Sequence, residues 1–292
     1  MPPAIPAPRE SGTVPVAPDA PLYWAAWGPA GASRLLVLHG GPGAHHDYLL
    51  PQLLRLAERR DCVFYDQRGG GRSKLDTLAP VTWRTQVDDL AAVADALVGD
   101  APLHLVGYSW GALLALLYAL EGARTPASLT LIDPAPLSRA YRQQFEAEFA
   151  RRAQSPAVQA MRAELQASGL RERDPDAYRQ RAFELSVAGY FHDPTRARDL
   201  TPFRVTGRVQ QSVWESLGDF DLVPRLGAVA CPTLVVHGRQ DPIPLASSEA
   251  AAAAIPGAQL AVIEECGHVP YVEQPGALFA AVLPFLDDVV RG

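Results

Sequence analysis

The sequence predicts an α/β fold: a mostly parallel sheet covered on both faces by helices and interrupted once by a helical insert. Three observations carry that reading. Apolar runs of strand length alternate with stretches of helical period, the pattern of a parallel sheet with crossover helices. Gly107-Tyr108-Ser109-Trp110-Gly111 joins one such run directly to a buried helical stretch. Between about Ala135 and Leu226 the strand-like runs vanish and charged, helical text such as residues 141–149 replaces them, before the sheet pattern resumes.

The elements follow in order. Met1 to Pro21 is rich in proline and lacks a basic start followed by an apolar segment, so it does not read as a signal peptide. Residues 1–19 are expected to form a loose or extended arm. Residues 22–27 and 34–38 are predicted to form an opening hairpin. Strands are then predicted at 62–65, 103–106 and 128–132, with an amphipathic helix over 85–98 and a buried helix over 112–118. The strand at 128–132 ends at Asp133-Pro134, and strands at 233–237 and 260–263 complete the sheet. The expected division is a core of residues 20–134 and 227–292, with residues 135–226 as a helical cap. An insert at the carboxyl ends of the strands lies where such sheets bind ligands.

Composition excludes several classes of function. The 292 residues carry 26 Lys and Arg against 32 Asp and Glu, a net charge of −6. That balance favours solubility and argues against nucleic acid or an anionic membrane as partner, and no basic cluster reverses it. The longest apolar stretches are strand-length or broken by Gly and Pro, which excludes a transmembrane helix. Cys62, Cys231 and Cys266 lie far apart without C-x-x-C spacing, predicting buried free thiols and a reducing, cytoplasmic setting. No carboxylate spacing turns the His45-His46 pair into a metal site, so neither metal nor other cofactor is expected.

The chemistry centres on Ser109. A strand that turns straight into a helix forces the serine into a cramped conformation, and glycines on either side leave room for it. The product is a nucleophile elbow, with the hydroxyl exposed at the sheet edge. Such a serine needs a base, and the base needs an acid, in the chain order serine, acid, histidine. Asp241 and His268 follow strands 233–237 and 260–263 on the same edge of the sheet. Asp133 is the competing acid, and Asp66 ends an earlier strand. His104 and His237 read as packed or satisfied groups, His192 as solvated, and Cys266 as a thiol displaced from the nucleophile role by Ser109. His39-Gly40-Gly41-Pro42-Gly43 follows strand 34–38 as a tight turn whose amides can face the site. Those of Gly41 and Trp110 are the expected donors to the oxyanion of an acyl-transfer intermediate. A phosphate loop is the rival reading, but the turn has neither a Lys-Ser/Thr ending nor G-x-G-x-x-G spacing.

Together with Asp66-Gln67-Arg68-Gly69-Gly70-Gly71-Arg72-Ser73, these motifs resemble the proline iminopeptidase family of α/β-hydrolases across nearly the whole chain beyond the arm. The resemblance implies an α/β-hydrolase fold with Ser109 as nucleophile, Asp241 as acid, His268 as base, and Gly41 and Trp110 as oxyanion donors. It implies a bracing role for the 66–73 segment. It also implies carboxylates that hold the free amine of a short peptide. Here Pro242 follows the aspartate and Gln210-Gln211 stands near the cap's end, leaving Glu184 and Glu215 as candidates. The expected function is a serine peptidase releasing N-terminal residues, proline above all. The alternative is an esterase, amidase or lactonase acting on small uncharged acyl substrates. A non-catalytic binding protein is disfavoured by the intact serine, acid, histidine and turn.

Overall fold

A computed structural model of the chain describes residues 4–17, 20–75 and 79–291. Its sheet holds β1 (Glu10–Pro15), β2 (Pro21–Trp27), β3 (Arg34–Leu38), β4 (Asp61–Tyr65), β5 (His104–Tyr108), β6 (Ser128–Ile132), β7 (Thr233–Gly238) and β8 (Gln259–Ile263). Their spatial order is β1-β2-β4-β3-β5-β6-β7-β8. The first two pairings, β1 with β2 and β2 with β4, are antiparallel, and the remainder are parallel.

The helices are α1 (Trp83–Leu97), α2 (Trp110–Glu121), α3 (Arg139–Ala153), α4 (Pro156–Ala167), α5 (Leu170–Arg173), α6 (Pro175–Val187), α7 (Gly207–Leu217), α8 (Leu245–Ala254), α9 (Pro270–Glu273) and α10 (Pro275–Arg291). Strands β4, β5 and β6 are buried at every residue, as strands covered on both faces must be. Alternate residues feed two apolar clusters. Leu36, Val63, Leu105 and Leu129 pack with α1 and α2, whereas Val37, Phe64, Val106 and Val236 pack with α10 and residues 49–57. The Thr82 hydroxyl accepts from the Thr85 amide, and this cap starts α1 two residues before the predicted helix. No helix among the described residues is long and apolar enough to cross a membrane.

Two expectations at the N-terminus are corrected. Residues 22–27 and 34–38 do not form a hairpin, because β4 lies between β2 and β3. The hairpin instead joins β1 to β2, in register from Glu10↔Ala26 to Pro15↔Pro21. Residues 10–15 of the predicted loose or extended arm are therefore an edge strand; residues 1–3 and 18–19 of that arm lie outside the described residues. An edge strand tolerates proline because one row of its N–H groups has no ladder to join. Tertiary contacts hold the segment: Arg9 pairs with buried Asp61 at 2.6 Å, and Trp27 Nε1 donates to the Pro6 carbonyl at 3.1 Å.

Between β6 and β7 the described residues contain helices and no strand, apart from an isolated bridge between Ser138 and Asp221. That bridge, with Leu222 N–H donating to Leu137 O at 2.9 Å, brings the two ends of the insert together.

Candidate active site

Ser109 sits between β5 and α2 at φ 53°, ψ −117°. A left-handed backbone at a residue with a Cβ costs about 1–3 kcal/mol, so the surroundings must impose it. They do so at several points. Ser109 N–H donates to Ile132 O at 2.9 Å, and Ser109 O accepts from Ala112 and Ala135, each at 3.0 Å. The flanking glycines are steric requirements. A Cβ on Gly107 would lie 2.5 Å from the Ala112 backbone, and one on Gly111 would lie 2.2 Å from Leu38 O.

Loops from two other strand ends reach the serine. His268 Nε2 lies 2.9 Å from Ser109 Oγ, and His268 Nδ1 lies 2.7 Å from Asp241 Oδ2. Asp241 Oδ1 accepts the Ile243 amide at 2.7 Å. A proton on Nδ1 facing the carboxylate leaves Nε2 with the lone pair that a serine proton needs. Burial pushes Asp241 up, but the charge and hydrogen bond of His268 outweigh it and hold the carboxyl below its ordinary range.

Asp133 lies close by in a different role. Its Oδ1 accepts the Gly238 amide at 2.8 Å, and burial, then the charge of Asp241, push it well above the carboxylate range. Of these two buried carboxyls, Asp133 is pushed toward its neutral form and Asp241 is held toward its charged one. Asp133, His237 and Asp241 lie close enough together to suggest a cation site, but both ring nitrogens of His237 are taken. His237 Nε2–H donates to Ile243 O at 3.1 Å, so Nδ1 accepts from the Ser248 hydroxyl at 2.9 Å. Cys266 is buried, which pushes its thiol up, and its Sγ–H faces Gly267 O at 3.4 Å.

The turn after β3 is tied to the elbow through Gln67. The Gln67 amide N–H donates to His39 Nε2 at 3.0 Å, its side-chain Nε2 donates to His39 O at 2.8 Å, and its Oε1 accepts from Trp110 Nε1 at 3.0 Å. His39 is thus a neutral imidazole with its proton on Nδ1, 2.8 Å from Gly40 O, and burial lowers its pKa to about 4. Gly41, at φ 61°, lines the cavity beside Ser109. The Trp110 amide is the first N–H of α2, which no carbonyl of that helix can accept. Asp66 accepts from His46 Nδ1 at 2.7 Å and from the Arg72 amide at 2.9 Å. Burial pushes Asp66 up, yet His46 overrides it and keeps the carboxyl well below its usual range.

Ser109 and His268 open into a cavity of about 830 Å³. Its far wall comes from α3 and α7, with Arg139, Arg142, Phe145 and Glu146 on one and Gln210, Trp214 and Glu215 on the other. Glu215 therefore reaches the cavity, and Glu184 does not. Glu184 is buried on α6 against Gln180 and Arg181, beside a separate small cavity. Sequence reasoning missed Arg139, Arg142 and Glu146. Their i, i+3, i+7 spacing puts them along one helix face, but an exposed charged face is ordinary in any helix.

Residues 35–282 match the model of the Alpha/beta hydrolase family. The proline iminopeptidase of Heyndrickxia coagulans is 27% identical over 272 residues, covering 89% of this chain and 92% of the relative. A crystal structure of proline iminopeptidase from Mycobacterium smegmatis is 26% identical with a TM-score of 0.70, covering 97% of this chain and 99% of that one. A proline iminopeptidase-related protein from Thermus thermophilus is 25% identical with a TM-score of 0.75, covering 97% of this chain and 98% of that one. Sheet order, elbow and family match agree: the chain belongs to the alpha/beta hydrolase family, as a serine-type hydrolase similar to the proline iminopeptidases.

Proposed function

We propose that the enzyme is an aminopeptidase that releases N-terminal residues, proline above all, from short peptides through an acyl-enzyme. The observation that carries this reading is the unbroken hydrogen-bonded chain Ser109–His268–Asp241 at the floor of the cavity. In the first half-reaction His268 Nε2 takes the Ser109 proton as Oγ attacks the scissile carbonyl. The Gly41 and Trp110 amides hold the oxyanion, the latter helped by the positive end of α2. His268 then gives its proton to the departing amine, and a water repeats the sequence to free the acid. Asp241 keeps the imidazole oriented and balances its charge throughout.

In this scheme residues 135–226 act as a cap that closes the cavity over the substrate. Glu215 receives the free amine, and the aromatic wall of Phe145, Tyr190, Trp214 and Phe220 receives an apolar N-terminal residue. The relatives named proline iminopeptidase support this choice. The three cysteines are buried free thiols, which supports a cytoplasmic setting.

A second reading, an esterase, amidase or lactonase, is favoured by the neutral Gln143, Gln210 and Gln211 in the cavity wall and by Pro242 after the acid. A panel of prolyl arylamide, its N-acetylated form and p-nitrophenyl esters separates the two. The peptidase reading expects the free-amine arylamide to exceed the acetylated one by at least roughly tenfold in kcat/KM. Equal turnover of free and blocked substrates hands the site to the second reading.

A further inference from the structure

The charges inside the cavity are unevenly matched. Four Arg and Glu side chains line it: Arg139, Arg142, Glu146 and Glu215. Arg142 Nε donates to Glu146 Oε1 at 2.9 Å, and its guanidinium lies 4.4 Å from the centre of the Trp214 ring. That pair neutralises itself. Glu215 accepts from the Gln211 side-chain amide at 2.7 Å, which supplies a hydrogen bond but no charge. Arg139, the first residue of α3, is exposed; its backbone N–H donates to Phe220 O at 2.9 Å. Among the described residues its guanidinium has no hydrogen-bond or ion-pair partner, and it does not pair with Glu215.

An unmatched cation and an unmatched anion in one cavity, beside a serine that attacks carbonyls, form the complement of a zwitterion. Building on the peptidase reading above, we propose that Glu215 takes the free amine and Arg139 the free α-carboxylate of an unblocked di- or tripeptide. The enzyme then measures its substrate by both ends. The planar guanidinium fork matches a carboxylate with two parallel hydrogen bonds. Phe145, Tyr190, Trp214 and Phe220 line the same cavity as both charges. A C-terminal amide leaves Arg139 without its partner, and a long peptide carries its carboxylate out of reach.

The test compares a prolyl dipeptide with its C-terminal amide in the wild type, Arg139→Gln and Arg139→Lys, with thermal melts to show that each variant is folded. The wild type should prefer the free acid by about tenfold in kcat/KM, through KM rather than kcat. Arg139→Gln should bring that ratio to about one, and Arg139→Lys should keep much of it. Equal rates for acid and amide in the wild type overturn the proposal, as does a preference that survives Arg139→Gln. Turnover of p-nitrophenyl esters with cleavage of neither peptide overturns the peptidase reading itself, and the carboxylate site with it.

Discussion

On the sheet side of the cavity His39, Gln67, Asp241 and His268 are buried, and each is held by hydrogen bonds at 2.7–3.0 Å. On the insert side Arg139, Gln143, Gln210 and Glu215 are exposed, on helices whose side chains pair mostly with their own neighbours. The difference follows from what each wall has to do. Proton transfer and oxyanion binding fail when groups are misplaced by about 1 Å, so they need rigid, over-determined supports. Choosing among substrates depends on charge and shape over longer distances, and a helical insert can supply these without disturbing the sheet.

The largest break in that contrast is removal of Ser109, the proposed nucleophile. Ser109→Ala should fold normally and lose about six orders of magnitude in turnover. A fluorophosphonate should label wild-type Ser109 and nothing else. Labelling at Cys266 would sink the mechanism.

Next comes Asp241, the proposed acid. Asp241→Asn should cost about 10⁴ in kcat, because His268 loses both its orienting partner and its charge balance. Asp133→Asn should cost far less, since Asp133 holds the Gly238 amide and it is Asp241 that bonds His268. Reversal of the two effects would move the acid to β6.

A third prediction concerns stability of the sheet wall. Burial lowers His39 from 6.5 to about 4, so on acidification the unfolded chain binds this proton before the folded one. The contribution is complete above pH 6.5 and is lost as pH falls toward 4, roughly 3 kcal/mol in all. Urea unfolding between about pH 7 and 4.5 should show a shallower loss in His39→Gln than in the wild type. Parallel curves would rule out His39 as the source.

The smallest effect belongs to the insert wall. Glu215→Gln should lower kcat/KM for free-amine substrates by about tenfold while sparing N-acylated ones. Glu184→Gln should leave that ratio alone, because Glu184 faces a different cavity. Discrimination lost through Glu184 would mean that the insert rearranges when substrate binds.

The parts of this enzyme that could be read without coordinates are written locally. Residues 128–132 match β6 at both ends, and the other predicted core strands lie within one or two residues of those found. The elbow was legible because the steric demand that surrounds Ser109 is met by glycines two residues away on either side. What misled the reading at the N-terminus was proline content. Pro15 sits in an edge strand, where the penalty for a missing N–H disappears, and no local signal marks an edge.

Period and order thus specified the α/β sheet and the strand-turn-helix at Ser109, because backbone sterics and side-chain alternation act over a few residues. Tertiary structure alone decided that β4 separates β2 from β3, that Glu215 and not Glu184 enters the cavity, and that Arg142 is neutralised while Arg139 is not. Helix α3 has an aromatic stripe at Tyr141, Phe145 and Phe149, and Phe145 and Phe149 pack half-buried against Tyr190, but no residue of the helix is fully buried and the stripe does not say which charges beside it stay unpaired. The setting of the helix also depends on the pinning of Ser138 against Asp221 and of Arg139 against Phe220, partners some eighty residues apart in the chain. Contacts of that range depend on how the whole insert closes on the sheet, and no window of neighbouring residues contains them.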